Sequence, residues 1–552
     1  MLIEPGCISA QVQTNSTARA AAGSSAQIHS HTPRARGSAR MPRTVDRNTK
    51  ACAIVVATTR MTNSVSANGP ATTKATEPPT SGQAWRWRTR ESGVTVSRMT
   101  EPAADGTKRT LVRQIGLWSA VAIVVGSTIG SGIFASPGVV AGRLPGPLPI
   151  LLVWTAGGII ALTGALTMAE LSSALPQTGG LYVFLREAWG RVAAFLFSWA
   201  QLAVIRAASL GAIAIVFANY TFSALGFDPR APENVMPVRW LAAGAIAVTG
   251  TFNFVGVKWG SLVSNVTTVA KYGGLLFIVI LALALGLPRT GGHFTPLVPA
   301  GSFTFAAFGL ALVSVLWAYD GWADLSYTAG EVKDPQRNLP RALLIGMSAI
   351  IGIYLAANVA YLTVLPIDQL RQLEEGVAAE VALVLIGTGG VVFVGMTVMI
   401  STFGTLNNTL LTAPRIFFAA ADDGLLPRAI ARVHPRFNTP GMAIVLCAAL
   451  GIVFVLSRTF TQLTDLYVIA FLPFYAMGVA SIFVLRRRPD YKPTFRAPLF
   501  PLVPVVFIVS VVTLLITSVI DPVARWATVV IFAVVLGGLA LYPLTKGRNA
   551  AD

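Results

Sequence analysis

Gly126-Ser127-Thr128-Ile129-Gly130-Ser131-Gly132-Ile133-Phe134 is the stretch on which the reading of this chain turns, and Trp317-Ala318-Tyr319-Asp320-Gly321-Trp322 is its counterpart further on. Each lies part-way along an apolar segment long enough to cross a bilayer. Each belongs to the first long helix of its half of the membrane region. Glycine at that depth leaves backbone N–H and C=O groups unpaired, which is tolerated only where the backbone is buried in protein or lines a cavity. Paired interruptions in two halves point to a secondary transporter whose binding site lies between inverted repeats.

The composition agrees. Of 552 residues, 54% are hydrophobic and 12% charged, against about 25% charged in a soluble domain. The chain therefore reads as an all-α integral membrane protein. Its net charge of +18 does not mark a nucleic-acid binder. Residues 1–100 hold 13 basic and 4 acidic residues, and the other 29 and 20 are spread over the rest. Residues 1–98 are rich in Ser, Thr, Ala, Arg and Pro without periodicity, the composition of a disordered basic tail. Their one apolar run, Ala51–Ala57, is too short to span and too deep to be a signal segment. The tail is either a flexible cytoplasmic extension or upstream sequence with the true start at Met99, and the second reading is preferred. Cys7, Cys52 and Cys447 have no metal or redox spacing.

A span needs about 20 apolar residues. On that rule residues 99–546 hold twelve: 113–141, 148–175, 192–222, 238–257, 260–286, 304–330, 340–365, 380–412, 439–457, 463–485, 500–519 and 524–544. The first five (113–286) and the next five (304–485) form the two candidate repeats. The last two (500–544) lie outside the repeat, and 547–552 form a short tail. With both termini in the cytoplasm, 20 Lys/Arg after residue 100 face inward and 7 outward, leaving Arg206 and Lys271 inside spans. That excess fixes the orientation; the cell membrane is the expected location.

At the first break, an unwound Gly130-Ser131-Gly132 leaves two half-helices. The outer one starts near Ile133, and its free N–H groups attract a carboxylate. The inner one ends near Thr128 and Ile129, and its carbonyls attract an ammonium. Trp317–Gly321 offers a similar break. Together they suit an α-amino acid head group. Close helix packing is the other reading of Gly126-xxx-Gly130, but two breaks in matching positions favour a site.

These residues resemble the amino acid–polyamine–organocation superfamily, and within it the L-type amino-acid transporters and their bacterial relatives. Val204-Ile205-Arg206 with Ser209, the run Gly330–Arg341 after the second break, Phe403–Asn407, Pro414–Phe418 with His434-Pro435, and Arg486–Asp490 with Pro493 and Arg496–Pro498 are similar to the family's later helices and loops. The resemblance covers about residues 110–500. It implies a LeuT-type fold of twelve helices with a 5+5 inverted repeat and broken helices one and six. It also implies that Ser131 and Gly132 face the substrate carboxylate, that the carbonyls of Ile129, Trp317 and Ala318 face its amine, and that Gly130 and Gly321 shape the site. Trp317 falls where the family keeps an aromatic gate. Lys271 falls where sodium-coupled relatives bind sodium. It would tie span five to span one near Gly126 or Gly130, and to span eight near Ser401 or Thr402, which implies sodium independence.

A lysine at mid-depth costs at least ~2.5–3.5 kcal/mol on insertion scales, so Lys271 is expected to have a structural or coupling role. Arg206 is expected to pair with backbone carbonyls or with a carboxylate from another span. Asp320 and Asp324 flank the second break; Asp320 is read as a cap of the following half-helix or a gate, and otherwise as a recogniser of substrate charge. Glu170 is a weaker candidate. Glu331, Lys333, Asp334, Arg337 and Arg341 are either a solvated loop or a cytoplasmic gate network. Phe474 and Tyr475 are bulky where the family varies its side-chain pocket, which favours small or medium neutral substrates.

The loop Ser223–Arg239 lacks the cysteine through which heteromeric members bond a heavy subunit, so no covalent partner is expected. The expected partners are an amino-acid substrate and the lipid bilayer. No enzyme constellation is present. There is no His-Glu-x-x-His, and His29, His31, His293 and His434 all lie outside mid-span positions; no metal or cofactor is expected. An exchanger or facilitator is the leading reading. A proton-coupled importer of cationic amino acids or polyamines is the alternative, and a channel or intramembrane enzyme is remote.

Overall fold

The computed structural model describes residues 111–299, 303–373, 376–520 and 524–546. The basic tail 1–98 and the C-terminal 547–552 lie outside the described residues. All regular structure among the described residues is helical, apart from one isolated parallel bridge between Ile115 and Val332. Nine helical stretches of the described residues are long and apolar enough to cross a membrane, and Phe305–Ala318, Val377–Ile386, Gly441–Ser457 and Thr528–Ala540 are shorter apolar helices. Helix is the form that satisfies every backbone group within one segment when no water is at hand.

In chain order the elements are α1 (Leu117–Thr128), α2 (Gly132–Arg143), α3 (Pro147–Ala174), α4 (Leu181–Trp189), α5 (Arg191–Ala224), α6 (Val235–Val255) and α7 (Val257–Thr290). Then follow α8 (Phe305–Ala318), α9 (Asp324–Tyr327), α10 (Pro335–Val364), α11 (Val377–Ile386), α12 (Thr388–Thr412) and α13 (Pro414–Asp422). The last are α14 (Gly441–Ser457), α15 (Phe460–Leu485), α16 (Leu502–Ile520) and α17 (Ala524–Gly537). Their ends carry ordinary signals. Pro147 and Pro335 open α3 and α10, where a missing N–H does no harm. Thr459 and Gln462 form a capping box at α15. A π-helical turn, Gln201–Ile205, interrupts α5 immediately before Arg206 and re-aims the face that follows.

One expected span needs correction, and another is interrupted at its expected break. The span read as 380–412 is two helices, because Gly387 takes a left-handed φ of 71° between α11 and α12; the apolar run is continuous in sequence, but the backbone turns there. The span read as 304–330 is helical to Ala318, turns through residues 319–323, and keeps only the single turn α9 before the 3-10 turn Ala329–Glu331. Elsewhere the boundaries differ by a few residues.

The packing places the first break at the centre. α1 lies against α7, α10 and α12, and α2 lies against α8. α3 packs along α10, α5 along α12, and α6 along α14. α15 closes the bundle against α5 and α16.

Candidate functional site

The two breaks interlock through their glycines. A Cβ on Gly132 would lie 2.6 Å from the Ala318 Cα, and one on Gly321 would lie 2.6 Å from the Ser127 carbonyl oxygen. Gly321 also has a φ of 113°, which side chains rarely adopt. Each break thus needs glycine because the other passes so close. Gly130 has more room, its nearest neighbour being the Thr405 hydroxyl at 3.6 Å.

The first break unwinds over residues 129–131, and α2 starts at Gly132, one residue before the expected Ile133. The amides of Ser131, Gly132 and Ile133 take no acceptor among the described residues, as the first turn of a helix leaves them. Below the break, the hydroxyls of Ser127 and Thr128 are buried without a protein partner. They line one cavity with Ser131, Gly132, Trp317 and Gly321. This set of donors and hydroxyls can hold a small anion-bearing polar molecule.

The carbonyls are more heavily used than the sequence implied. Ile129, expected to turn its carbonyl to a substrate amine, instead accepts from the Lys271 Nζ at 2.6 Å, the Ser401 hydroxyl at 2.9 Å and the Thr405 hydroxyl at 3.4 Å. The Ala318 carbonyl lies 3.0 Å from the Tyr354 hydroxyl, which also reaches the Thr128 carbonyl at 3.1 Å. One tyrosine on α10 thereby joins the ends of α1 and α8. The Trp317 carbonyl accepts from the Asp320 amide at 3.2 Å.

Lys271, on α7, is fully buried. Besides Ile129, its ammonium meets the carbonyls of Gly126 and Ser401, both at 2.9 Å, and the Thr405 hydroxyl at 3.1 Å. Four oxygens from α12 and the α1 break thus surround one cation. Thr402, expected beside it, donates to Val398 of its own helix at 2.8 Å; Thr405, one turn nearer the break, takes that place.

Arg206 and Asp324 form a buried pair at 2.8 Å, joining α5 to α9. Gln201 accepts from the Arg206 Nε at 2.9 Å, and Thr412 donates to Asp324 at 3.3 Å. The pair borders the same cavity, with Thr405 and Thr409. Asp320 also borders it. Its two oxygens accept from the hydroxyls of Tyr467 and Tyr475, the latter at 2.6 Å, and the residue preceding α9 in the cap position is Ala323. Trp317 is half-buried, with its ring edge-on to Tyr467 at 5.4 Å. Trp317, Asp320 and Tyr467 form a wall, because all three also line a second, largely apolar pocket with Leu316, Phe471, Tyr475 and Phe507. Phe474, by contrast, packs on Phe197.

The charged loop after α9 matches the solvated expectation at four residues and departs from it at Glu331. Glu331 is buried and forms a two-pronged pair with Arg415 of α13 at 2.7 and 3.0 Å. Its carbonyl accepts from the amides of Gln114 and Ile115, and the Lys333 amide donates back to Ile115. Lys333, Asp334, Arg337 and Arg341 are exposed and make no ion pair among the described residues. Glu170, at the end of α3, holds Arg486 at 2.8 and 2.6 Å and the Ala497 amide at 2.6 Å. On α4, Tyr182 donates to Asp423 at 2.7 Å. Burial, then the Asp423 carboxylate, raise that phenol above its usual range, so it stays a donor.

Sequence reasoning missed Tyr354, Thr405 and Tyr467, and it read Tyr475 as pocket bulk without its bond to Asp320. The two tyrosines on α15 stand eight residues apart, two turns on one helix face, which was the one available signal. The Arg206–Asp324 pair was accessible from the rule that charges inside a membrane pair with one another.

A model of the amino acid permease family matches residues 115–540. The chain is 32% identical to the serine/threonine exchanger SteT of Bacillus subtilis (strain 168), over 80% of this chain and 98% of that protein. It is 33% identical to the b(0,+)-type amino acid transporter 1 of Mus musculus, over 78% and 88% of the two chains. It is also 33% identical to the large neutral amino acids transporter small subunit 2 of Mus musculus, over 75% and 78%.

Proposed function

The chain belongs to the amino acid permease family, and from that premise we propose that it is a sodium-independent exchanger or facilitator of L-amino acids, acting by alternating access on small or medium neutral substrates. A membrane transporter rather than an enzyme is what the family and the relatives indicate. The observation that carries the finer reading is the Lys271 ammonium, held by carbonyls of the broken helix and of α12. A fixed cation there does what a bound metal cation would otherwise do, and leaves no such ion to couple.

The twelve-span, LeuT-type arrangement with a 5+5 inverted repeat belongs to the same proposal. It is supported by the pairing of α3 with α10, α5 with α12 and α6 with α14, and by the interlocked breaks. Substrate would lie in the cavity between them, its carboxylate on the free amides of Ser131, Gly132 and Ile133. Ile129 has no part in holding the amine, since its carbonyl is filled. The basic loops support cytoplasmic termini in the cell membrane. The absence of cysteine from residues 223–239 supports function without a covalently bound heavy subunit.

Uptake of a labelled amino-acid panel into proteoliposomes, with sodium or choline outside and with or without internal amino acid, tests this reading. Uptake that is independent of sodium and stimulated by internal substrate is expected. Uptake that collapses in choline at constant membrane potential overturns it.

A further inference from the structure

One polar face of α7 follows the inner half of α1. Lys258, Ser261, Asn265, Thr268 and Lys271 recur every three or four residues, so they share a side of the helix. The rungs nearest the break are closed. Lys271 meets the Gly126 carbonyl, and the Thr268 hydroxyl donates to the Ala122 carbonyl at 3.0 Å. The rungs at the other end are open. A cleft of about 250 Å³ lies between the starts of the two helices, lined by Gln114, Ser119, Lys258, Ser261 and Asn265. That is several times the ~30 Å³ share of one water. The Asn265 Nδ2 donates to the Ser119 hydroxyl at 3.2 Å. The Asn265 Oδ1 and the Ser261 hydroxyl are shielded from solvent and reach no protein partner. Polar groups so placed are costly unless a ligand bonds to them. Lys258 is exposed at the cleft and makes no ion pair among the described residues, and no acidic residue lines it.

We propose that this cleft binds a phospholipid with an anionic, hydroxyl-bearing headgroup of the phosphatidylglycerol kind. The proposal needs the chain to sit in a bilayer and is independent of what the chain carries. The surroundings are those of a membrane surface. Trp118, next to Ser119 on α1, and Trp259, next to Lys258 on α7, are 72% and 56% exposed, and tryptophan settles at headgroup level. From Trp259 an exposed apolar stripe of Leu262, Val266 and Val269 runs on along α7, at the spacing of one helix face. An acyl chain has its track there. The phosphate meets the Lys258 ammonium, a charge-assisted contact. The glycerol hydroxyls supply the donor that the Asn265 Oδ1 lacks and a partner for Ser261. A choline headgroup brings the phosphate but no donor, and sets a second positive charge beside Lys258. A headgroup seated here closes the open rungs between α1 and α7.

The test titrates the purified full chain in mild detergent with lipids of identical acyl chains and reads bound lipid by native mass spectrometry. Phosphatidylglycerol should bind at least about five-fold tighter than phosphatidylcholine. Phosphatidylmethanol, which keeps the single negative charge but has no hydroxyl, should fall between them. Lys258→Gln should remove most of the preference over phosphatidylcholine. Ser261→Ala/Asn265→Leu should bring phosphatidylglycerol down to the level of phosphatidylmethanol. Arg432→Gln, between α13 and α14, should leave all three unchanged. Equal binding of phosphatidylglycerol and phosphatidylcholine by the wild type overturns the site. So do equal effects of Lys258→Gln and Arg432→Gln, which would mean general surface charge. An unchanged ratio of phosphatidylglycerol to phosphatidylmethanol in the double variant overturns it equally. Displacement of the lipid by glycerol 3-phosphate at the same concentration would mark a soluble-anion site and overturn the lipid. Should the double variant not fold, the exposed Lys258→Gln decides. Binding is read without uptake, so failure here leaves the transport reading standing, and absence of uptake leaves this site standing.

Discussion

The Nζ of Lys271 lies 2.6 Å from the carbonyl oxygen of Ile129, the first residue of the unwound turn in the first broken helix. A side chain of α7 thus satisfies the backbone that the break leaves open. The same contact takes from the site a carbonyl that its position in the motif would assign to substrate.

Lys271→Ala leaves the carbonyls of Gly126, Ile129 and Ser401 without their ammonium, and a buried acceptor left unpaired costs about 1–3 kcal/mol. Transport should slow severely while substrate still binds, because the amides of Ser131 and Gly132 are untouched. Binding titrations alongside uptake check this. Loss of both together would place the lysine in the binding site rather than beneath it.

Gly130→Ala and Gly132→Ala should behave oppositely, although the two glycines are two residues apart. A Cβ on Gly130 makes an ordinary contact at 3.6 Å, whereas one on Gly132 lies 2.6 Å from the Ala318 Cα. Uptake should survive the first change and be lost in the second, and Gly132→Val should be worse still. Equal activity of the two alanine variants would contradict the interlock of the breaks.

Tyr354→Phe removes the one hydroxyl that reaches the carbonyls of both Thr128 and Ala318. We expect a stability loss of about 1–3 kcal/mol and uptake lowered several-fold at normal insertion. Thermal denaturation of the purified variant, measured beside uptake, separates the two effects. An unchanged melting temperature would refute the bridge.

Glu331 and Arg415 are both fully buried, so removing one partner strands the other, at about 3–5 kcal/mol. Glu331→Gln and Arg415→Met should each lower folded yield sharply. The double variant should recover part of the loss, because no unpaired charge remains. Folded yield after mild heating reads this out, and strictly additive losses would count against the pair.

The sequence by itself determined the membrane class, the helices and the position of both breaks, because those follow from apolar run length, charge content and glycine placement along one segment. The family motif marked where Lys271 had to find partners, since a charge at that depth cannot stay unpaired. Which partners it found was decided only in three dimensions. Ser401 and Thr405 stand on α12, far along the chain, and the difference between Thr402 and Thr405 is one of helix rotation, which sequence spacing alone does not reveal. The same holds for Asp320. As a residue after a break it reads as a cap, yet its oxygens also meet two phenols on α15 that only the packing brings near. Gly387 shows the converse limit, for an apolar run gives no sign of a turn that a single left-handed glycine creates. Local patterns fixed what each segment is. Contacts between distant segments fixed which polar groups remain free to meet a ligand, because each such group goes to whichever donor or acceptor the packing brings nearest.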